Sequence, residues 1–321
     1  MTQTSFRGAV IFSFLICFGL DSSALAQTGG RSAFEFLKIS PFSRAVGMGE
    51  AYSAVGDDVA AIQYNPAGLA SVLNNELDFT YLSLYQGVNF ESVAVAVPLD
   101  TQLPGIGGVV AANVNIVQGG SFQRTDDLGN PNGTFTTGDD IVTLAYAKSF
   151  GMVQLGASGK FIQQQIDTVT NTLFAADAGV VVTPSFPGMR VGLSIKNIGA
   201  QDNNDYDLPM ILDAAISYRR YEIFTYQDDG AISVETDFPI HPIEDQVGMR
   251  VGAEYNFKWV GSRATLRMGY KFLDQNLSGT GFTVGAGYSL DLDGAVVFLD
   301  YAFAPEDIFG VSNRLSLSTK F

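Results

Sequence analysis

The sequence predicts an all-β fold, a transmembrane antiparallel up-and-down β-barrel of about fourteen strands. Three observations point there. Charged residues make up 16% of the 321 residues and hydrophobic ones 46%, a balance poorer in charge than the ~25% of an ordinary soluble domain. No apolar run reaches the ~18 residues that a membrane-crossing helix needs. From residue 76 onward the chain alternates apolar and polar positions by twos, interrupted by Gly, Pro, Asn and Asp clusters. The formal charge of -15, from 18 Lys and Arg against 33 Asp and Glu, argues against a nucleic-acid partner, because phosphate neutralisation needs clustered cations.

Residues 1–26 read as a cleaved signal peptide. Arg7 supplies the positive start, Ala9 to Leu20 the apolar stretch, and Ala24-Leu25-Ala26 the small-residue cleavage site. The expected location is therefore a bacterial outer membrane, with lipid as the barrel's surroundings. Cys17 is the only cysteine and lies inside the apolar stretch, and Leu15 and Ile16 before it do not form a lipoprotein box. Neither a disulfide nor a lipid anchor is expected in the mature chain. Residues 27–75 are Gly- and Ala-rich with short helix-like stretches, and 76–321 form the barrel.

Within the barrel region the alternation is explicit. Val247, Met249, Val251, Ala253, Tyr255 and Phe257 share one face, opposite Gly248, Arg250, Gly252, Glu254 and Asn256. Leu266, Met268, Tyr270 and Phe272 likewise oppose Thr265, Arg267, Gly269 and Lys271. A soluble sandwich alternates too. Apolar faces that end in Tyr or Phe, opposite faces of Gly, Ser, Thr and isolated charges, and strands of about 9–11 residues favour lipid outside and a crowded lumen inside.

Strands are expected to start near Leu77, Phe90, Val109, Ile141, Val153, Phe174, Met189, Ile211, Ile232, Val247, Ala264, Phe282, Ala295 and Leu315. The ninth, Ile232 to Phe238, has the weakest pattern. Connections after even-numbered strands are mostly brief, as at Ser149–Met152 and Asp291–Gly294. Those after odd-numbered strands are longer, as at Gln118–Asp139 and Gly199–Leu208. That asymmetry puts both termini on the periplasmic side. Leu315, Leu317 and Thr319 step by twos to the terminal Phe321. A last strand in lipid must close onto the first, and a terminal aromatic of this kind resembles the signal read by barrel-insertion machinery.

In Ala33–Ala70, Gly47 and Gly49 allow tight backbone, Asp57 or Asp58 can cap a short helix over Val59–Gln63, and Asn65-Pro66 ends it. So small and apolar a segment needs walls around it. The residues Phe36-Leu37-Lys38-Ile39, Ser43-Arg44-Ala45, Gly47-Met48-Gly49, Asp57-Asp58 and Asn65-Pro66-Ala67-Gly68-Leu69 resemble the PorV/PorQ family, which is related to the FadL family of outer-membrane transporters. The resemblance continues through Phe174–Gly199 and Leu208-Pro209. It implies a luminal plug, or hatch, in which Gly47, Gly49, Asp57, Asp58, Asn65, Pro66 and Gly68 fix the backbone or contact a ligand.

No arrangement of catalytic residues stands out, so a non-enzymatic protein without cofactor or metal is expected. The single His, His241, lies between Pro239 and Pro242 in an expected loop, without Cys partners for zinc. The run Asp202–Asp207 has oxygens but not the ordered spacing of a calcium loop. The ionisable residues on the non-lipid faces are Lys160, Asp177, Arg190, Lys196, Asp213, Arg219, Arg250, Glu254, Arg267, Lys271 and Asp300. Mixed signs allow neighbours to pair and brace the lumen, and the basic members Arg190, Lys196, Arg250, Arg267 and Lys271 are placed to grip Asp57 and Asp58.

Two functions follow. By resemblance, the first is a PorV/PorQ-type accessory to protein export or surface attachment by a type IX secretion-like route, with secreted proteins as partners. The second is a FadL-like channel for hydrophobic small molecules such as long-chain fatty acids, its route lined by Phe34, Phe36, Leu37 and Phe42.

Overall fold

The computed structural model describes residues 34–84, 87–99, 107–200, 207–225, 227–241, 247–272, 281–306 and 310–321. The expected signal peptide and residues 202–206 lie outside them. Fourteen strands follow in chain order: β1 Glu76–Ser83, β2 Asn89–Pro98, β3 Val109–Thr125, β4 Pro131–Phe150, β5 Val153–Ile166, β6 Val169–Val182, β7 Met189–Gly199, β8 Met210–Tyr221, β9 Asp228–His241, β10 Gly248–Trp259, β11 Ser262–Phe272, β12 Gly281–Leu292, β13 Ala295–Glu306 and β14 Gly310–Lys320.

Each strand pairs antiparallel with its sequence neighbours, and β1 pairs with β14 to close the barrel. Closure leaves no edge to be satisfied by water, which is the condition for a sheet in lipid. Beyond the last strand, Asn75 and Phe321 exchange both backbone hydrogen bonds at 3.0 Å. Both ends of the wall therefore meet at one rim, here the turn end. The opposite rim is the loop end.

Alternation sorts the side chains. β1 runs buried, exposed, buried, exposed throughout, with Leu77, Phe79 and Tyr81 outward and Glu76, Asp78 and Thr80 inward. Outward aliphatics such as Val95, Leu193, Leu266, Leu299 and Leu317 form a belt. Aromatics flank it, with Tyr218, Phe257, Trp259 and Tyr288 toward the turn end and Tyr81, Tyr270, Phe272 and Phe282 toward the loop end. An apolar band between two aromatic girdles is the exterior of a membrane barrel.

Two departures from the sequence expectation have a common cause. The Gln118–Asp139 connection is no loop: β3 and β4 continue as a paired hairpin, 17 and 20 residues long, with the turn only at Asp126–Asn130. β5 and β6 are each 14 residues long and join through Asp167 and Thr168, so one loop-end connection is a tight turn. Above the belt both faces of these strands meet water, so period-2 hydrophobicity, the sequence signal of a strand, vanishes while the ladder continues. The link at residues 99–108 is also longer than its fellows on the turn end. His241 is the last residue of β9, paired with Met210, rather than a loop residue.

The interior is filled by residues 34–72. A 3-10 turn at Glu35–Lys38, a helix at Ser43–Gly47, a second at Ala61–Tyr64 and another 3-10 turn at Pro66–Ser71 follow one another before β1. The second helix starts later than the expected Val59, and Asp58 Oδ1 accepts from the Ala60 N–H just before it. Asn65 ends that helix and caps the next turn, its Oδ1 accepting from Ala67 N–H at 3.1 Å, with Pro66 at the first position.

Candidate functional site

The inner segment reaches the wall because the wall has no side chains where they meet. Inward-facing glycines stand on six strands: Gly156 on β5, Gly179 on β6, Gly192 on β7, Gly252 on β10, Gly269 on β11 and Gly285 on β12. A Cβ on Gly156 would collide with Pro66, on Gly179 with Asn65, on Gly192 with Ser53, and on Gly252 and Gly269 with Met48 and Gly49. Gly285 and Gly47 face each other, a Cβ on either meeting the other's Cα at 3.0 Å. Gly49 takes φ +62 against the β10 and β11 backbone, a close approach only glycine makes without cost. Gly68 makes a close approach within the segment, where a Cβ would meet the Gly56 carbonyl oxygen at 2.6 Å and Ala61 at 3.0 Å.

Charges lock this arrangement. Arg44 donates to Glu254 through Nε at 2.9 Å and Nη2 at 3.0 Å, and through Nη1 to Asp57 at 2.6 Å and Asp58 at 2.7 Å. Burial opposes the Arg44 charge, and Asp57 and Glu254 outweigh it, so the guanidinium holds its proton more tightly than usual. Burial likewise disfavours the Asp57 carboxylate, yet Arg44 and then Arg219 hold it well below the ordinary range. Glu254 also accepts from Arg267 Nε at 2.8 Å, and Arg267 Nη1 meets Asp300 at 2.5 Å.

Further around the ring, Glu50 takes Lys271 at 2.5 Å and lies 3.9 Å from Arg250, which itself pairs with Asp237 at 2.7 Å. Burial pushes the Glu50 carboxyl up, and Lys271 with Arg250 brings it down below its usual value. Ser53 donates its N–H and its hydroxyl to Glu235, both at 2.8 Å. Arg190 donates to the Val55 carbonyl at 2.9 Å and to Gly56, Ser71 and Gln154 at 3.2–3.3 Å. Lys196 pairs with Asp213 at 2.8 Å and lies over the Tyr64 ring. Asn65 Nδ2 donates to the Ser53 carbonyl at 3.0 Å and the Val180 carbonyl at 3.2 Å.

These contacts correct one expectation. Among the described residues, Asp57 and Asp58 are paired with Arg44 and, for Asp57, Arg219. Arg250 and Arg267 face Asp237, Glu50, Glu254 and Asp300 instead. The reason is proximity: wall acids two strands away or nearer claim those cations first. The site residues that sequence reasoning passed over are Arg44, Glu50, Glu235, Asp237 and Arg314, the last donating to the Ser40 carbonyl. For Glu235 and Asp237 a signal existed, since Ser233, Glu235 and Asp237 step by twos opposite Ile232, Val234 and Phe238.

Asp213, Glu235 and Asp237 converge within 4.8 Å. Lys196, Ser53 and Arg250 lie against the three in turn, which sets two positive charges against three carboxylates.

The two sides of the segment differ in chemistry. Toward the turn end lies a cavity of about 540 Å³ lined by charged and polar groups, among them Arg44, Asp57, Glu76, Arg263, Asp300 and Lys320. Toward the loop end the wall is apolar. Leu82, Leu84, Phe90, Val117, Ile141, Ile162, Ala175 and Leu208 form a nest into which Phe34, Phe36 and Ile39 insert. Phe34 and Phe36 meet edge to face, centroids 5.8 Å apart, and Phe34 holds φ 58, an uncommon backbone for a bulky residue. Phe42, expected beside them, belongs instead to the buried cluster that holds Met48, Tyr52 and Leu69, and it lines the turn-end cavity.

No family model and no curated protein matches the chain. Solved structures do. The toluene transporter TodX of Pseudomonas putida is similar over 88% of this chain and 98% of its own, with TM-score 0.58 at 11% identity. The toluene transporter TbuX of Ralstonia pickettii gives 0.58 at 12%, over 88% and 99%. A FadL homologue of Pseudomonas aeruginosa gives 0.51 at 10%, over 87% and 97%. The likeness is one of fold, the closed β-barrel with its N-terminal segment, and goes no further.

Proposed function

We propose that the protein is an outer-membrane channel for hydrophobic small molecules, in which residues 34–72 act as a plug that yields to its passenger. The observation that carries this reading is the apolar nest at the loop end, filled from within by Phe34 and Phe36. Its shape offers an apolar molecule a place out of water, while the charged cavity on the far side gives it nothing to hold and favours release. The fold neighbours that carry toluene support the same passenger class. In this reading residues 1–26 direct export, Phe321 marks the chain for barrel insertion, and the turn end faces the periplasm. Uptake of radiolabelled toluene into cells expressing the chain tests it. Expression should raise the rate, Phe36→Ala should raise it further, and an uptake equal to that of cells lacking the barrel would refute the proposal.

A second reading rests on a separate observation, the β3–β6 sheet that rises past the lipid belt, carrying exposed Phe122 and Leu128. Together with the N-terminal motif that resembles PorV/PorQ, it fits an accessory to type IX-like protein export whose partner is a secreted protein. Deletion of the gene followed by inspection of the cell-surface and secreted proteins tests this. An unchanged secretome would remove it.

A further inference from the structure

Directly beneath the nest, the buried Gln63 Oε1 of the inner segment has no hydrogen-bond partner among the described residues, and the buried Ser40 and Tyr64 hydroxyls beside it have only each other. Their residues line a single cavity of about 30 Å³, room for one small polar group. Leu37 packs against the nest and lines this cavity as well, so the two spaces adjoin. Buried polar groups are nearly always satisfied in native proteins, and an unpartnered acceptor facing two hydroxyls across one small space marks the place of a group that supplies the missing bonds.

These atoms also define that group. Gln63 Nε2 donates to the Ile39 carbonyl at 3.1 Å, which fixes the amide and turns Oε1, an acceptor only, into the cavity. The Ser40 and Tyr64 hydroxyls can each donate. The missing group must donate to the amide oxygen and accept from a hydroxyl, which a hydroxyl does and a carboxylate does not. An anion also finds no spare positive charge there, because Lys38, Lys160, Lys196 and Arg250 are held by Glu35, Asp177, Asp213 and Asp237 at 2.7–3.0 Å.

We propose that the passenger is an amphiphile with a neutral hydroxyl head, the head seated between Ser40, Gln63 and Tyr64 and the apolar body taking the place of Phe34 and Phe36 in the nest. This rests on the channel reading above and sharpens its substrate class from plain hydrocarbon to phenol or alcohol.

Calorimetric titration of the purified barrel in detergent with toluene, p-cresol and p-toluate tests it, since the three share a methylated ring and differ in the head. The expected order places p-cresol about tenfold tighter than toluene, with p-toluate no tighter than toluene. Tyr64→Phe, which keeps the ring, and independently Ser40→Ala should each bring p-cresol down toward toluene while leaving toluene binding unchanged. Heat-modifiable migration confirms that each variant is folded. Equal binding of p-cresol and toluene, a preference for p-toluate, or a p-cresol preference that survives in both variants would overturn the inference while leaving the channel reading standing. Absence of binding by all three would overturn both.

Discussion

Arg44 of the inner segment and Glu254 of β10 face each other through two parallel hydrogen bonds of 2.9 and 3.0 Å. This forked geometry is one that Arg makes and Lys cannot reproduce. Because Arg44 also holds Asp57 and Asp58, one side chain fastens two parts of the segment to the wall.

Removing one partner of such a buried pair should be costly, at roughly 3–5 kcal/mol. Glu254→Gln leaves Arg44 and Arg267 short of a counter-charge, and Arg44→Lys keeps charge but loses the fork. Both variants should expose residues 43–72 to protease in folded barrels, Glu254→Gln the more. Protection equal to wild type in both would contradict the hub.

The glycine ring predicts a steric effect separable from charge. Gly252→Val and Gly156→Val should expel the segment while the barrel still forms, because the new side chains strike the Met48 and Pro66 backbones and not the wall. A cysteine placed at Ser53 should then label rapidly, with heat-modifiable migration retained. Slow labelling equal to the parent would count against the close approach.

Docking should also weaken in acid. Asp57 is a carboxylate held below its ordinary range when docked, so the undocked segment takes up the proton first. The stabilisation is fully present above about pH 4, the ordinary Asp value, and drains away as pH falls through the lower docked value. Hydrogen-exchange protection of residues 43–72, corrected for intrinsic rates, should drop over that range in wild type and respond less in Asp57→Asn. Constant wild-type protection down to pH 2 would refute the link.

The lipid belt makes a depth-dependent prediction. Leu266→Arg, in mid-belt and 57% exposed, should destabilise the barrel in bilayers by about 2–4 kcal/mol. Leu128→Arg at the tip of the β3–β4 hairpin should be neutral. Equal effects in urea unfolding from liposomes would remove the belt.

The barrel was legible because lipid on one side and a packed lumen on the other impose strict alternation. Val247–Phe257 carries it so plainly that β10 could be read residue by residue. β3 above Gln118 and β4 below Ile141 could not, since water on both faces erases the pattern while backbone pairing persists. The inner segment was legible in part. Asn65-Pro66 announced a helix end, but the partner of Asp57 did not follow from its sequence neighbours. Arg44 lies in the Ser43–Gly47 helix, and Arg219 in a strand far along the chain, so only the folded path brings them together. The glycines of the polar faces were visible as a composition, whereas their alignment around the lumen depends on register, which no single strand reveals.

That alignment turns the wall into a gauge of strand length. A residue inserted between the turn end and the ring in β5, β6, β7, β10, β11 or β12 would rotate its glycine to the lipid side and point its neighbour's side chain at the segment. The same insertion beyond the ring, in the tall part of β3 to β6, shifts nothing that the segment touches. Variation in strand length is therefore free only above the ring and the nest, in the tall part of β3 to β6, where the extra height of this protein is found.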